Sequence, residues 1–186
     1  MLLLCGLALR SIIVFCLPVR KFENTIKRYH YAAVNIINGR GYSFSKEPPY
    51  QPSFYKPPVY SMFLAFIYRF FGVNHNAVRA IQIFLDLMAC LLLYLLARNY
   101  LASRASLLVL ALAVFSPVSA VYTNLINPES LALFFMVLSL YFISQAIQFG
   151  GMLFFFAAGL SLTLLSYTRQ EFAPMILLFI PCFYIS

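Results

Sequence analysis

The sequence predicts an all-α protein that crosses a membrane several times, and three observations lead to this fold class. Hydrophobic residues make up 63% of the 186 residues and charged residues only 10%, whereas about a quarter of an ordinary soluble domain is charged. Apolar runs close to the roughly 20 residues that span a bilayer recur along the chain. Polar residues concentrate in one segment, residues 19–57, which holds seven of the 13 Lys and Arg residues. An unusually apolar soluble helical domain is the alternative, and the length of the runs argues against it.

The first apolar run, residues 1–18, is predicted to be a membrane helix. It has the length of a secretory signal, but no basic leader precedes it and Arg10 interrupts it, so cleavage is not expected. The cysteines lie in apolar runs without metal-ligand or redox spacing, so we interpret them as packing residues. The four positions are Cys5, Cys16, Cys90 and Cys182.

Within the polar segment, apolar residues recur at helical spacing and predict an amphipathic helix over residues 22–38. Its polar face carries more positive than negative charge. Gly39-Arg40-Gly41 follows, and a glycine at that point supplies the left-handed residue that ends many helices. A helix that simply lies on anionic headgroups is the plainer interpretation. The apolar positions are Phe22, Ile26, Tyr29, Ala33 and Ile36 or Ile37.

Residues 58–72 form a second candidate interfacial helix, opened by Pro57 and Pro58. The run is short for a membrane span and suits an interfacial or re-entrant helix. If residues 58–72 do not span the membrane, Arg98 and Arg104 lie on the side opposite the polar segment. Short cytoplasmic loops carry an excess of Lys and Arg, so that side is cytoplasmic and the polar segment lies outside. If residues 58–72 span the membrane, the polar segment lies in the cytoplasm. Charge alone leaves the two topologies nearly balanced.

Residues 19–76 thus form one predicted loop, and five further runs are predicted membrane helices. The last run gives only about 22 Å of helix, less than the roughly 30 Å of a hydrocarbon core, so we expect an N-terminal fragment of a longer protein. Arg10 and Asp86 fall within predicted membrane helices, and we predict that they pair inside the bundle, because a lone charge facing lipid is costly. A place in a transport pathway is the alternative. The five runs are residues 77–97, 105–122, 130–147, 152–167 and 172–186.

An ordered set of short motifs resembles a known family. The motifs are Tyr29…Asn35-Ile36-Ile37-Asn38-Gly39-Arg40-Gly41-Tyr42-Ser43, Lys56-Pro57-Pro58-Val59-Tyr60, Phe71-Gly72, Leu95-Leu96-Ala97-Arg98, Ser116-Pro117, Pro128-Glu129 and Thr168-Arg169. Together they resemble the polyprenyl-phosphate-dependent glycosyltransferases of the GT-C superfamily. That group includes lipid A aminoarabinose transferase and the dolichyl-phosphate-mannose protein mannosyltransferases. Each motif is short, and their order along essentially the whole chain carries the resemblance.

The resemblance implies a GT-C-type helical bundle whose first loop lies outside the cytoplasm, with residues 58–72 at the membrane surface. It implies inverting transfer of a sugar from a polyprenyl-phosphate donor to an acceptor lipid, glycan or protein. The expected location is the bacterial inner membrane, multi-pass, with the active site facing outward and membrane lipid around it. The fragment alone is expected to be inactive, and no nucleic acid partner is expected. No cofactor fingerprint is present, and a divalent metal is left open.

Two other function classes stay open at this stage. One is a transporter or flippase piece in which Arg10 and Asp86 line a pathway. The other is a non-catalytic subunit that binds polyprenyl phosphate.

The expected catalytic base is the weak point of the resemblance. Relatives place an Asp four residues before the aromatic that matches Tyr29, and this chain has Thr25 there. The nearest carboxylate, Glu23, is the predicted base that takes the acceptor proton. An acid that only stabilises a helix N-terminus and a catalytically silent relative are the alternatives. The resemblance also makes Tyr29 a substrate-binding residue. His30 and His75 stand alone in the sequence and receive no role.

Three further residues complete the predicted site. Glu129 matches the second acid of the family and is predicted to orient the acceptor or hold a divalent cation, although a first-turn acid also stabilises a helix dipole. Lys56 and Arg169 are predicted to contact the donor phosphate, as a compact charge and as a bidentate fork. Snorkelling to the membrane interface is the alternative for both cations. Gln170 replaces the Pro that commonly follows this Arg in the family, which leaves the geometry of that loop open.

Overall fold

The computed structural model describes residues 1–16, 24–53 and 55–179, and it folds them into a bundle of α-helices that contains no strand within these ranges. Two of the described helices are long and apolar enough to cross a membrane, and one bent pair makes a third candidate. This architecture confirms the predicted fold class, an all-α membrane protein. The helices are α1 (Leu2–Cys16), α2 (Asn24–Ile37), α3 (Val59–Phe71), α4 (His75–Arg98), α5 (Ser103–Val114), α6 (Pro117–Asn124), α7 (Glu129–Phe149), α8 (Met152–Thr168) and α9 (Met175–Phe179).

Two short helices, α2 and α3, pack against each other over one end of the longer helices. After α2 ends at Ile37, Gly39 adopts a φ angle of 69°, the left-handed conformation expected from the Gly-Arg-Gly sequence. The Asn35 amide then donates to the carbonyls of Ser43 and Ser45, at 2.8 and 2.9 Å. These two bonds fold the following loop back onto α2.

The α3 helix has 13 residues, which corresponds to about 20 Å, less than the thickness of a hydrocarbon core. One of its faces packs against α2, α4 and α8. The other face exposes Met62, Phe66 and Phe70 at a spacing of four residues. A short helix with one apolar face left open suits a position at the membrane surface.

The helix predicted over residues 105–122 is two helices, α5 and α6, with a bend of 42° between them. Pro117 causes the break because proline lacks an N–H and disfavours the helical conformation of the residue before it. Ser116 is accordingly extended, with a ψ angle of 114°, and its hydroxyl accepts from the Ser119 N–H at the start of α6. The prediction of one continuous helix was therefore wrong at this point.

The last predicted helix, residues 172–186, begins later than expected. A 3₁₀ turn over Gln170–Phe172 precedes α9, which starts at Met175 directly after Pro174. Proline is favoured at the first turn of a helix, where its missing N–H leaves no bond unmade. Residues 180–186 lie outside the described part of the chain.

Arg10 and Asp86 form a buried ion pair, which confirms the predicted pairing. Arg10 Nη2 lies 2.5 Å from Asp86 Oδ2, and the two side chains are 0% and 1% exposed. Arg10 Nη1 also donates to the carbonyl of Val114 at 2.8 Å. Val114 is the last residue of α5, and the last carbonyls of a helix have no N–H donor within the helix. The Ser119 hydroxyl donates to Asp86 Oδ1. The pair therefore joins α1 and α4 to both halves of the broken helix.

Candidate functional site

A cleft of about 270 Å³ lies at the end of the bundle that α2 and α3 cover. Four of the five predicted site residues line it, although they are far apart in the sequence: Tyr29, Lys56, Glu129 and Arg169. The structure thus brings the predicted substrate-binding residues and the second predicted acid into one place. The fifth residue, Glu23, lies outside the described residues, so its role as the base stays a prediction.

Each side chain reaches the cleft from the end of a helix or from an interfacial helix. Tyr29 lies on the buried face of α2, and Lys56 comes shortly before α3 begins. Glu129 is the first residue of α7, directly after Pro128, and Arg169 follows the last residue of α8. Since α7 and α8 are packed together, the beginning of one and the end of the other meet at the cleft.

Side chains from α4 hold the loop that precedes Glu129. Gln82 Nε2 donates to the carbonyls of Leu125 and Asn127, at 3.1 and 3.2 Å. Arg79 Nε donates to the carbonyl of Asn124 at 3.1 Å. Backbone carbonyls buried in an irregular loop need such partners. These contacts fix where α7 begins, and with it the position of its first carboxylate.

Arg169 is the centre of the charged cluster in the cleft. Its Nη1 lies 2.9 Å from Glu129 Oε1, its Nε lies 2.9 Å from Glu171 Oε2, and its Nη2 donates to Glu171 Oε1 at 3.4 Å. All three guanidinium nitrogens therefore contact carboxylates. The Arg169 guanidinium lowers the pKa of the Glu171 carboxyl, and its hydrogen bonds with Glu171 raise the pKa of Arg169 in turn.

Glu129 retains one unused acceptor. Its Oε2 atom is buried and has no hydrogen-bond partner among the described residues, while Oε1 is bound to Arg169. A buried oxygen without a partner is costly. This atom is therefore a natural acceptor for a hydroxyl that enters the cleft.

Lys56 lies between two aromatic rings. Its Nζ is 5.5 Å from the centre of the Tyr29 ring and 5.9 Å from the centre of the Tyr55 ring, within cation–π range. The Tyr29 ring also packs edge-on against Tyr60, with centroids 5.2 Å apart. Burial raises the pKa of Tyr29 to about 12, so its hydroxyl stays protonated at neutral pH. Lys56 and Tyr29 thus offer a cation and a hydrogen-bond donor side by side.

Several lining residues are not among the predicted site residues, and Glu171 matters most among them because it binds Arg169 directly. Its sequence signal was an acid two positions after a motif arginine. Within residues 1–16, 24–53 and 55–179, no cluster of three or more His, Cys, Asp and Glu side chains is arranged to hold a metal ion. The other lining residues are Tyr55, Pro57, Asn127, Pro128, Thr168 and Gln170.

The interpretation of His30 and His75 as isolated residues was wrong. Their rings lie 5.4 Å apart, and His30 Nδ1 is 3.0 Å from the hydroxyl of Tyr68. Burial, with a smaller effect from His75, lowers the pKa of His30. The cluster joins α2 to α3 and α4 and does not line the cleft.

A groove of about 560 Å³ continues from the cleft and shares Lys56, Pro57 and Gln170 with it. The Tyr42 hydroxyl donates to the carbonyls of Lys56 and Pro57, at 2.9 and 3.2 Å, and fixes the backbone between the two spaces. The remaining side chains are mostly apolar or aromatic. They are Tyr42, Pro58, Met62, Ser166 and Tyr167.

Comparison with known proteins identifies the family. A family model described as dolichyl-phosphate-mannose-protein mannosyltransferase matches residues 55–186, more than two thirds of the chain. The chain belongs to this family. The mannosyltransferase match confirms the resemblance recognised in the sequence and makes this membrane protein a relative of glycosyltransferases. The matched segment contains Lys56, Glu129 and Arg169, and it begins after Tyr29. No curated protein and no solved structure matches the chain.

Proposed function

We propose that this chain acts in an integral-membrane enzyme that moves a sugar from a polyprenyl-phosphate donor to an acceptor hydroxyl outside the cytoplasm. The observation that carries the proposal is the cleft, which joins two cations and two carboxylates at one end of a membrane bundle. Such transfer needs cations to hold the departing phosphate and a carboxylate to take the acceptor proton. Membership of a mannosyltransferase family supports the reaction class.

The donor occupies the cleft and the groove together in this proposal. Lys56 and Arg169 hold the phosphate, and the protonated Tyr29 hydroxyl donates a hydrogen bond to it. The polyprenyl chain leaves along the groove that contains Pro58, Met62 and Tyr167. Because Lys56 lines both spaces, a lipid in the groove has its phosphate next to this cation.

The acceptor approaches from the side of Glu129. Its hydroxyl is oriented by the Glu129 carboxylate, whose Oε2 atom has no partner among the described residues. The hydroxyl oxygen attacks the anomeric carbon opposite the phosphate, the bond from that carbon to the phosphate oxygen breaks, and the configuration inverts. A carboxylate takes the hydroxyl proton, and Glu23 stays the proposed base. The phosphate leaves on the polyprenyl chain.

The direction of the α4 helix supports an outward-facing cleft. This helix begins beside α3 at the cleft end and ends at Arg98, and both Arg98 and Arg104 are exposed around the short connection to α5. Cations in short loops mark the cytoplasmic side. We therefore propose that the cleft opens on the outer face of a bacterial inner membrane.

A related candidate function is donor binding without transfer. It is favoured by one observation, the presence of Thr25 where relatives place the catalytic Asp. The same cleft would then bind polyprenyl phosphate and present it to another protein.

The test is a transfer assay of the full-length protein with a panel of polyprenyl-phosphate sugars. Lys56→Met is expected to raise the KM for the donor about tenfold, since a charge-assisted contact contributes about 1.5–3 kcal/mol. Lys46→Met is the matched control, because Lys46 is exposed and lies outside the cleft. Donor binding without any transfer would favour the non-catalytic function. Equal effects of the two variants would remove Lys56 from the donor site.

A further inference from the structure

We propose that Glu171 is a built-in substitute for the donor phosphate, which occupies the Arg169 guanidinium in the empty cleft and leaves it when the phosphate binds. The inference rests on the proposed function and deepens it. It gives a regulatory role to a residue that no motif of the family resemblance includes.

The geometry of the pair resembles that of a bound phosphate. Two oxygens of Glu171 face the Nε and Nη2 atoms of Arg169, at 2.9 and 3.4 Å. This edge of a guanidinium is the one that carboxylates and phosphates bind with two parallel hydrogen bonds. Glu129 occupies the remaining nitrogen, Nη1, at 2.9 Å. A phosphate can therefore bind Arg169 bidentately only after one of the two carboxylates has moved away.

Burial and attachment decide which carboxylate moves. The Glu171 side chain is 64% exposed, whereas that of Glu129 is 26% exposed. Glu129 lies in the first turn of α7, where the helix dipole stabilises a negative charge. Glu171 belongs to a short 3₁₀ turn directly after Arg169. Since exposed ion pairs contribute little to stability, Glu171 is the weaker partner.

The charges of the cleft also fit an exchange. Lys56 and Arg169 contribute two positive charges, and Glu129 and Glu171 contribute two negative charges. The phosphodiester of a lipid-linked sugar carries one negative charge. When it takes the place of the Glu171 carboxylate, the net charge of the cleft is therefore unchanged. After transfer, the lipid product is a phosphate monoester with a charge of about −1.5 to −2 at pH 7. The returning carboxylate then competes with this more strongly held product and favours its release.

The test measures binding of a short-chain polyprenyl phosphate to the full-length protein in lipid nanodiscs. Glu171→Gln is expected to tighten binding about two- to fivefold, the size that corresponds to loss of one exposed ion pair. Glu171→Asp keeps the charge but shortens the side chain, and we expect a smaller gain. Glu47→Gln is the matched control, because it removes one negative charge from an exposed position outside the cleft and should leave the Kd unchanged.

A double mutant isolates the contact with Arg169. In an Arg169→Gln background, Glu171→Gln should give a clearly smaller gain in affinity, because the guanidinium is gone and only the weaker attraction between Glu171 and Lys56 remains. Equal or weaker binding by Glu171→Gln, when the wild-type protein binds polyprenyl phosphate, overturns the inference and leaves the donor site intact. Failure of the wild-type protein to bind polyprenyl phosphate would contradict the proposed function itself.

Discussion

Among the described residues, arginine contacts carboxylates at two places, and the two places differ in burial. Arg10 and Asp86 are 0% and 1% exposed, whereas Arg169 is 33% exposed and binds two carboxylates that are more exposed than Asp86. The other donors of Arg10 are taken up by groups of the protein, including the Val114 carbonyl. In the cleft, by contrast, one oxygen of Glu129 has no partner among the described residues. The buried pair is fixed by its surroundings, while the cleft cluster is partly exposed and, in our proposal, exchanges Glu171 for the donor phosphate.

The largest expected effect concerns the stability contributed by the buried pair. Arg10→Met should lower the free energy of unfolding by about 3–5 kcal/mol, because it leaves the Asp86 carboxylate buried without a counter-charge. The double variant Arg10→Met/Asp86→Leu should recover most of that loss, since no isolated charge remains. Thermal unfolding of the purified protein in detergent measures both effects.

The matched control for this prediction is Arg104→Met, which removes the same charge from an exposed position and should change the stability by less than about 0.5 kcal/mol. Similar losses for Arg10→Met and Arg104→Met would show that burial does not separate the two kinds of site. A double variant as unstable as Arg10→Met would show that packing, and not charge pairing, fixes the helices.

The next effect concerns enzymatic activity at the charged cluster in the cleft, which consists of Arg169, Glu129 and Glu171. Glu129→Gln should lower kcat/KM for sugar transfer by about 10²-fold, because in our proposal the Glu129 carboxylate orients the acceptor hydroxyl, and a misplaced substrate costs about that factor. Its effect on stability should stay below about 1 kcal/mol, since the ion pair with Arg169 is partly exposed. Transfer assays and unfolding of the same preparations check the two expectations. Unchanged turnover, or a stability loss as large as that of Arg10→Met, would place Glu129 with the structural residues.

The smallest effect is a pH-dependent contribution of Glu171 to stability. Arg169 lowers the pKa of Glu171 from its usual 4.5, so the ion pair stabilises the folded state above that pH. This contribution is lost as the pH falls through the lower pKa of the folded protein. Because the side chain is mostly exposed, the difference between wild type and Glu171→Gln should be below about 1 kcal/mol at pH 7. It should vanish at strongly acidic pH and shrink in high salt. A difference that pH leaves constant would mean that Glu171 acts through packing.

Much of the fold could be predicted from the sequence because apolar length and the cost of buried charge are local properties. The free-energy cost of a lone charge inside the membrane was enough to predict that Arg10 and Asp86 pair. The break before Pro117 was missed because the apolar run continues across it, although proline chemistry would have located it. The bend matters, since the Arg10 side chain binds the carbonyl of Val114 at that point.

Only part of the candidate site could be predicted from the sequence. Lys56 and Arg169 followed from family motifs, and the structure places them around one cleft. Glu171 belongs to no motif, and its importance comes from a contact with Arg169. The approach of His30 to His75 likewise depends on how α2 packs on α3 and α4, which involves residues distant in sequence. Hydrophobic periodicity specifies which face is buried but not which helix covers it.

Photo-cross-linking tests the central claim most directly. The claim is that the charged cluster in the cleft, and not the buried pair of Arg10 and Asp86, holds the donor phosphate. The probe is a polyprenyl-phosphate sugar with a diazirine in the isoprenyl unit next to the phosphate, applied to the full-length protein in membranes. We expect adducts on Tyr55, Lys56 or residues 167–171 that unlabelled donor suppresses. A cavity beside Asp86 shares Glu129 with the cleft. Specific adducts on its other lining residues, such as Ser119, Tyr122 or Leu133, with none on Tyr55, Lys56 or residues 167–171, would contradict this claim.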